Sequence, residues 1–90
     1  MSVVGGREIA EMRRRHLAAL AREVETRGLA WRFAGPGESL LAVYTPGTGR
    51  HVIVLATPCG DGWYYLWPAG GMADAARPGE AADRVRALLG

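Results

Sequence analysis

The sequence predicts an α+β domain ordered α-β-β-β-β-α, a four-stranded antiparallel meander with both helices on one face. Three observations predict it. A long stretch with apolar residues at helical spacing opens the chain, and a shorter one closes it. Between them lie four apolar or alternating runs, separated by short turns rich in Gly and Pro.

Residues 7–27 carry the first helical pattern. Ile9, Met12, Leu17, Leu20 and Val24 share one face at about 100° per residue. Four alanines raise its propensity, and Glu11–Arg15 and Glu23–Arg27 are i,i+4 pairs in the favourable order. Gly28 suits the C′ position and Leu29 the apolar contact of a Schellman cap. The first strand, 29–33, alternates, with Leu29, Trp31 and Phe33 on one side and Arg32 on the other. Because the chain reverses at Gly28 and runs back along the helix, the Trp31 and Phe33 side is expected to face the helices.

Gly35-Pro36-Gly37 turns the chain into the apolar run 40–45, and Pro46-Gly47-Thr48-Gly49 turns it again. The run 51–57, HVIVLAT, is β-branched and apolar on both faces, which suits a central strand. Cys59-Gly60-Asp61-Gly62 reads as a hairpin turn before the aromatic strand 63–67, WYYLW. Pro68 to Pro78, punctuated by Gly, Ala and Pro, reads as an irregular crossover loop. Residues 79–89 then form the closing helix, with Ala82, Val85, Leu88 and Leu89 inward, Pro78 at its start and Gly90 at its end. Two helices cover one face of such a sheet and nothing is left to cover the other.

Composition narrows the function classes. Ninety residues form one domain, 1–90, burying about 60–65% of the surface its unfolded chain exposes. Hydrophobic residues are 49%, charged residues 22% and mean hydropathy is −0.01, which is a folding composition rather than a disordered one. No apolar run reaches the roughly 18 residues of a membrane span, and the N-terminal MSVVGGRE has no apolar signal core, so a cytoplasmic location is expected. All 11 basic residues are arginine, a bias that fits a GC-rich genome. Acids interleave with them to a net charge of +2, which argues against a broad nucleic-acid face.

The candidate chemistry is sparse. Cys59 has neither a disulfide partner nor enough histidines for a zinc site, and neither His16 nor His51 forms a nucleophile signature with it. The Gly-rich stretches lie between strands, so none places a helix N-terminus against a phosphate. No catalytic, cofactor or metal site is expected, and the chain is not read as an enzyme. Arg13 and His16 fall among the apolar residues of the helical wheel. They are either partly buried where the helix overhangs the sheet or the polar groups of a pocket.

In WYYLW, alternation puts Trp63, Tyr65 and Trp67 on one face and Tyr64 and Leu66 on the other. The tryptophan set carries more bulk than one thin core easily holds. The expectation is therefore that Tyr64 and Leu66 face the helices, while Trp63, Tyr65 and Trp67, with Arg32, form an interaction surface.

The run LAALAREVETRGLAWRF, the apolar strands after it, GWYYLWPAG and the closing AADRVRALL resemble a group of small actinobacterial proteins of unknown function. These carry a tryptophan-rich strand between a glycine and a terminal helix, and some are encoded beside helix-turn-helix regulators. The resemblance spans nearly the whole chain. It implies an α/β domain of cytoplasmic origin and supplies no catalytic residues.

The resulting functional expectation is a non-catalytic protein-interaction module that self-associates, as a homodimer, or binds a protein partner through an aromatic sheet face. The alternative is a small-ligand-binding or enzyme-accessory domain with a pocket near Arg13 and His16. A second alternative is an accessory to a nucleic-acid-associated regulator.

Overall fold

The computed structural model describes residues 6–90; most of the N-terminal stretch read for a signal core lies outside them. Helix α1 spans Gly6–Glu25 and buries Leu17, Leu20, Ala21 and Val24, one stripe at i, i+3, i+4 and i+7. Its first turns extend past the sheet, so Ile9 and Met12, expected inward, remain 37% and 38% exposed. The helix ends in a Schellman cap: Gly28 N–H donates to Glu25 C=O, and Leu29 N–H donates to Val24 C=O. Gly28 takes φ +81° there, and Leu29 is buried behind it.

Five strands follow, not four: β1 (Ala30–Ala34), β2 (Leu40–Tyr44), β3 (His51–Cys59), β4 (Gly62–Trp67) and β5 (Gly71–Asp74). They form one antiparallel sheet in sequence order, with β3 central. A single 3-10 turn, Pro36–Glu38, joins β1 to β2. Gly60 and Asp61 alone join β3 to β4, with Gly60 at φ +61° as a tight two-residue hairpin requires. Pro58 stands in β3 beyond the end of β2, where its missing N–H removes no ladder bond to that strand.

Strand β5 lies inside the segment read as a crossover loop. Its residues, Gly-Met-Ala-Asp, lack β-branched side chains, so local preference does not announce a strand. Pairing with β4 forms it: Trp67↔Gly71, Leu66↔Met72, Tyr65↔Ala73 and Tyr64↔Asp74.

Helix α2, Pro78–Leu89, buries Ala81, Ala82, Val85 and Leu89. Leu88, expected inward, is 56% exposed, because the buried stripe runs 81/82–85–89 and Leu88 lies to one side of it. One core joins both helices to one sheet face through Val54, Ala56, Tyr65, Trp67 and Ala73. Arg27 ties the helices together, with Nε donating to Asp83 Oδ1 at 2.7 Å, Nη1 to Glu23 Oε1 at 2.9 Å and Nη2 to the Gly79 carbonyl at 3.2 Å.

Candidate functional site

Residues directly opposite in an antiparallel pair share a face, so the register assigns every side chain of the sheet. On the face turned away from the helices, one row crosses all five strands: Ala34, Leu40, Leu55, Leu66 and Met72. Leu40, Leu55 and Leu66 are half-buried by their neighbours, and Met72 at the edge is 42% exposed. Arg32, Ala42 and Ile53 lie in the next row on one side, and Thr57, Tyr64 and Asp74 in the next row on the other. The face is thus apolar along its middle, basic at its β1 end and acidic at its β5 end.

Relief follows side-chain size. Small Ala34 and Ala42 leave a groove of about 460 Å³ walled by Arg32, Tyr44, His51 and Ile53. A second groove, of about 250 Å³, follows Leu40, Ile53, Leu55 and Leu66 to Pro68. At the β5 end the long side chain of Met72 is exposed.

The aromatic strand is oriented opposite to expectation. Tyr65 is fully buried and Trp67 is 8% exposed, both in the core under the helices, with Trp63 packed at its margin. Tyr64 and Leu66 lie on the open face. The two-residue hairpin sets this register by pairing Ala56 with Tyr65 and Pro58 with Trp63. The bulk fits because the residues around it are small: Ala21, Ala56, Ala73, Ala75, Ala81 and Ala82 are all buried in the same core. Those alanines, legible in the sequence, were the signal that the core had room for three large rings. Arg32 lies exposed on the open side, and Trp31 and Phe33 pack toward the helices, both as expected.

Arg13 and His16 converge on Trp63 but line neither groove of the open face. Arg13 Nε donates to the Ala56 carbonyl at 2.8 Å, where β3 has run past its last pair with β2. Its guanidinium carbon sits 5.9 Å from the Trp63 ring centre, a cation–π distance. The His16 ring lies 5.1 Å from that of Trp63, tilted by 36°. Burial holds the His16 imidazole below its ordinary pKa of 6.5, and its Nε2 has no hydrogen-bond partner. The Tyr65 hydroxyl donates to the His16 carbonyl at 2.5 Å. The set is a packed seam that fastens α1 to β3 and β4.

Cys59 is exposed at the far end of β3 from His51, eight residues or about 26 Å away, and on the opposite sheet face from the His16 seam. Neither histidine is placed to take its proton. No group of three His, Cys, Asp or Glu with metal-binding placement occurs among the described residues, and no helix among them is long and apolar enough to cross a membrane. No family model, curated protein or solved structure matches the chain.

Proposed function

We propose that this protein is a non-catalytic interaction module that self-associates through the open face of its sheet. The observation that carries this reading is the row Ala34–Leu40–Leu55–Leu66–Met72, an apolar band across five strands that no element among the described residues covers. Antiparallel sheets commonly keep one face in water, but such a face then alternates to polar residues. Here the central outward positions of the three middle strands are Leu40, Ala42, Ile53, Leu55 and Leu66, flanked by Tyr44 and His51 on one side and Thr57 and Tyr64 on the other. That is the make-up of an interface centre, with aromatic and aliphatic residues inside and charge at the rim.

Sedimentation across a concentration series tests the reading. The wild-type chain is expected to move from monomer to dimer in the micromolar range. Leu55→Arg, at the centre of the band, is expected to stay monomeric while keeping its far-ultraviolet circular dichroism. A wild-type chain that remains monomeric into the millimolar range, or a Leu55→Arg variant that still dimerises, would overturn it.

A further inference from the structure

We infer that the second copy docks face to face about a two-fold axis lying between the sheets, with Arg32 of each chain against the partner's Asp74. The inference rests on the self-association proposed above and specifies its geometry.

Charge comes first. Arg32 and Asp74 are the two charged side chains that flank the apolar row on the edge strands of the open face, one on β1 and the other on β5. They lie four inter-strand spacings apart across the sheet and two rows apart along it, about 23 Å on the diagonal, too far to meet within one chain. Arg32 makes no ion pair among the described residues. Asp74 Oδ1 accepts the Ala76 N–H, which holds the carboxylate in place, and its other oxygen takes no hydrogen bond or ion pair among the described residues. One face with opposite charges at its two ends is complementary to itself when turned over.

Shape agrees with charge. The basic end is concave, because Ala34 and Ala42 floor the groove of about 460 Å³ beneath Arg32. At the acidic end Met72, next but one to Asp74, is 42% exposed and offers a long, flexible apolar side chain to such a hollow. An in-plane two-fold axis lays Met72 of each chain toward the hollow at Ala42 of the other and forms both contacts twice. A head-to-tail arrangement would use the same contacts once per chain and leave an end open.

Pairing through the sheet edges is disfavoured. Two β1 strands paired about their midpoint would set Arg32 opposite the partner's Arg32. The outer edge of β5 is already occupied by Arg84, which donates from α2 to the Met72 carbonyl. The face itself measures about 24 by 17 Å, a flat footprint of about 400 Å² before side-chain relief. Over both partners that is about 800 Å² before relief, below the standard size of a stable interface, so the association proposed is a weak one.

Charge reversal tests the arrangement. Arg32→Asp alone and Asp74→Arg alone each replace two attractive contacts by two repulsive ones. Each is expected to raise the dimer Kd by about tenfold or more. Mixing the two variants in equal amounts is expected to return Kd to within about threefold of wild type, as a heterodimer in which both contacts are attractive again. Both positions are exposed, and Asp74→Arg also gives up the Ala76 N–H contact, so the folding of each variant is checked by thermal melting. A wild-type dimer that Leu55→Arg abolishes, but that neither charge variant weakens and mixing does not restore, overturns this geometry and leaves the open face as the interface. Oligomers growing beyond the dimer with concentration overturn the two-fold axis. A wild-type monomer removes both proposals.

Discussion

The indole of Trp67 fills the space that a side chain on Gly71 would need: a Cβ built on Gly71 falls 1.7 Å from the indole Nε1. The two are direct cross-strand partners, so the ring stands in for the missing side chain and shields the edge strand on its helix side. Arg84 lies over the same ring at 5.2 Å. A strand with no β-branched residue is thus held by its neighbour's aromatic ring.

Truncating this ring is therefore a core event. Trp67→Ala is expected to cost about 3–5 kcal/mol in urea unfolding, the range for removing a buried aromatic. Gly71→Ala is expected to cost about 1–3 kcal/mol, because the indole must move to admit one methyl group. A loss below about 1 kcal/mol for Trp67→Ala would return the tryptophan to the surface where the sequence alone had put it.

Tyr65 couples stability to alkaline pH. Burial raises its phenol above the ordinary pKa of 10.0, so the folded chain keeps a proton that the unfolded chain gives up. Stability is full below pH 10.0 and falls above it, by about 1.4 kcal/mol per pH unit until the folded phenol also ionises. Tyr65→Phe is expected to lose about 1 kcal/mol at neutral pH, with the hydrogen bond to the His16 carbonyl, and to remove that alkaline slope. An unchanged slope in the variant would show that another group carries it.

His16 acts on the acid side with the opposite sign. Its folded pKa is depressed below 6.5, so the unfolded chain binds the proton first. The stability it contributes is present above pH 6.5 and is lost as pH falls from 6.5 toward the lowered folded value. His16→Phe keeps a ring against Trp63 and removes the unpartnered Nε2. Chemical unfolding at a series of pH values is expected to show a flatter profile below 6.5 and no loss at neutral pH. A steeper profile would mean that the charged imidazole is the form the fold prefers.

Arg27 is the polar clamp between the helices. Arg27→Ala is expected to cost about 1–2 kcal/mol, allowing for the solvent exposure of Asp83. Arg27→Lys is expected to recover little of it, because one ammonium cannot reach Asp83, Glu23 and the Gly79 carbonyl together. Equal stability of the lysine and wild-type chains would reduce the clamp to a surface charge.

Much of this architecture was legible from local pattern. The stripe Leu17–Leu20–Val24, the Gly28-Leu29 cap, the alternation of Trp31 and Phe33 and the turn at Gly60-Asp61 are signals that act over a few residues. The structure has each where the pattern put it. Strand β5 was not legible, since Gly71-Met72-Ala73-Asp74 is a strand only because β4 lies beside it. Arg32 was placed on the open side correctly, because one alternating strand and one capped helix are enough to orient it.

By itself, the sequence determined that a capped amphipathic helix, a run of short antiparallel strands and a closing helix would leave one sheet face uncovered. Only the tertiary structure decided which side chains that face carries. Alternation divides Trp63, Tyr65 and Trp67 from Tyr64 and Leu66 but is blind to which set turns inward. The choice rests on volume supplied from far along the chain: Ala21 on α1, Ala73 on β5 and Ala81 and Ala82 on α2 make room for the rings, so the large residues go in. Leu66 is left beside Leu55 and Met72 on the outside.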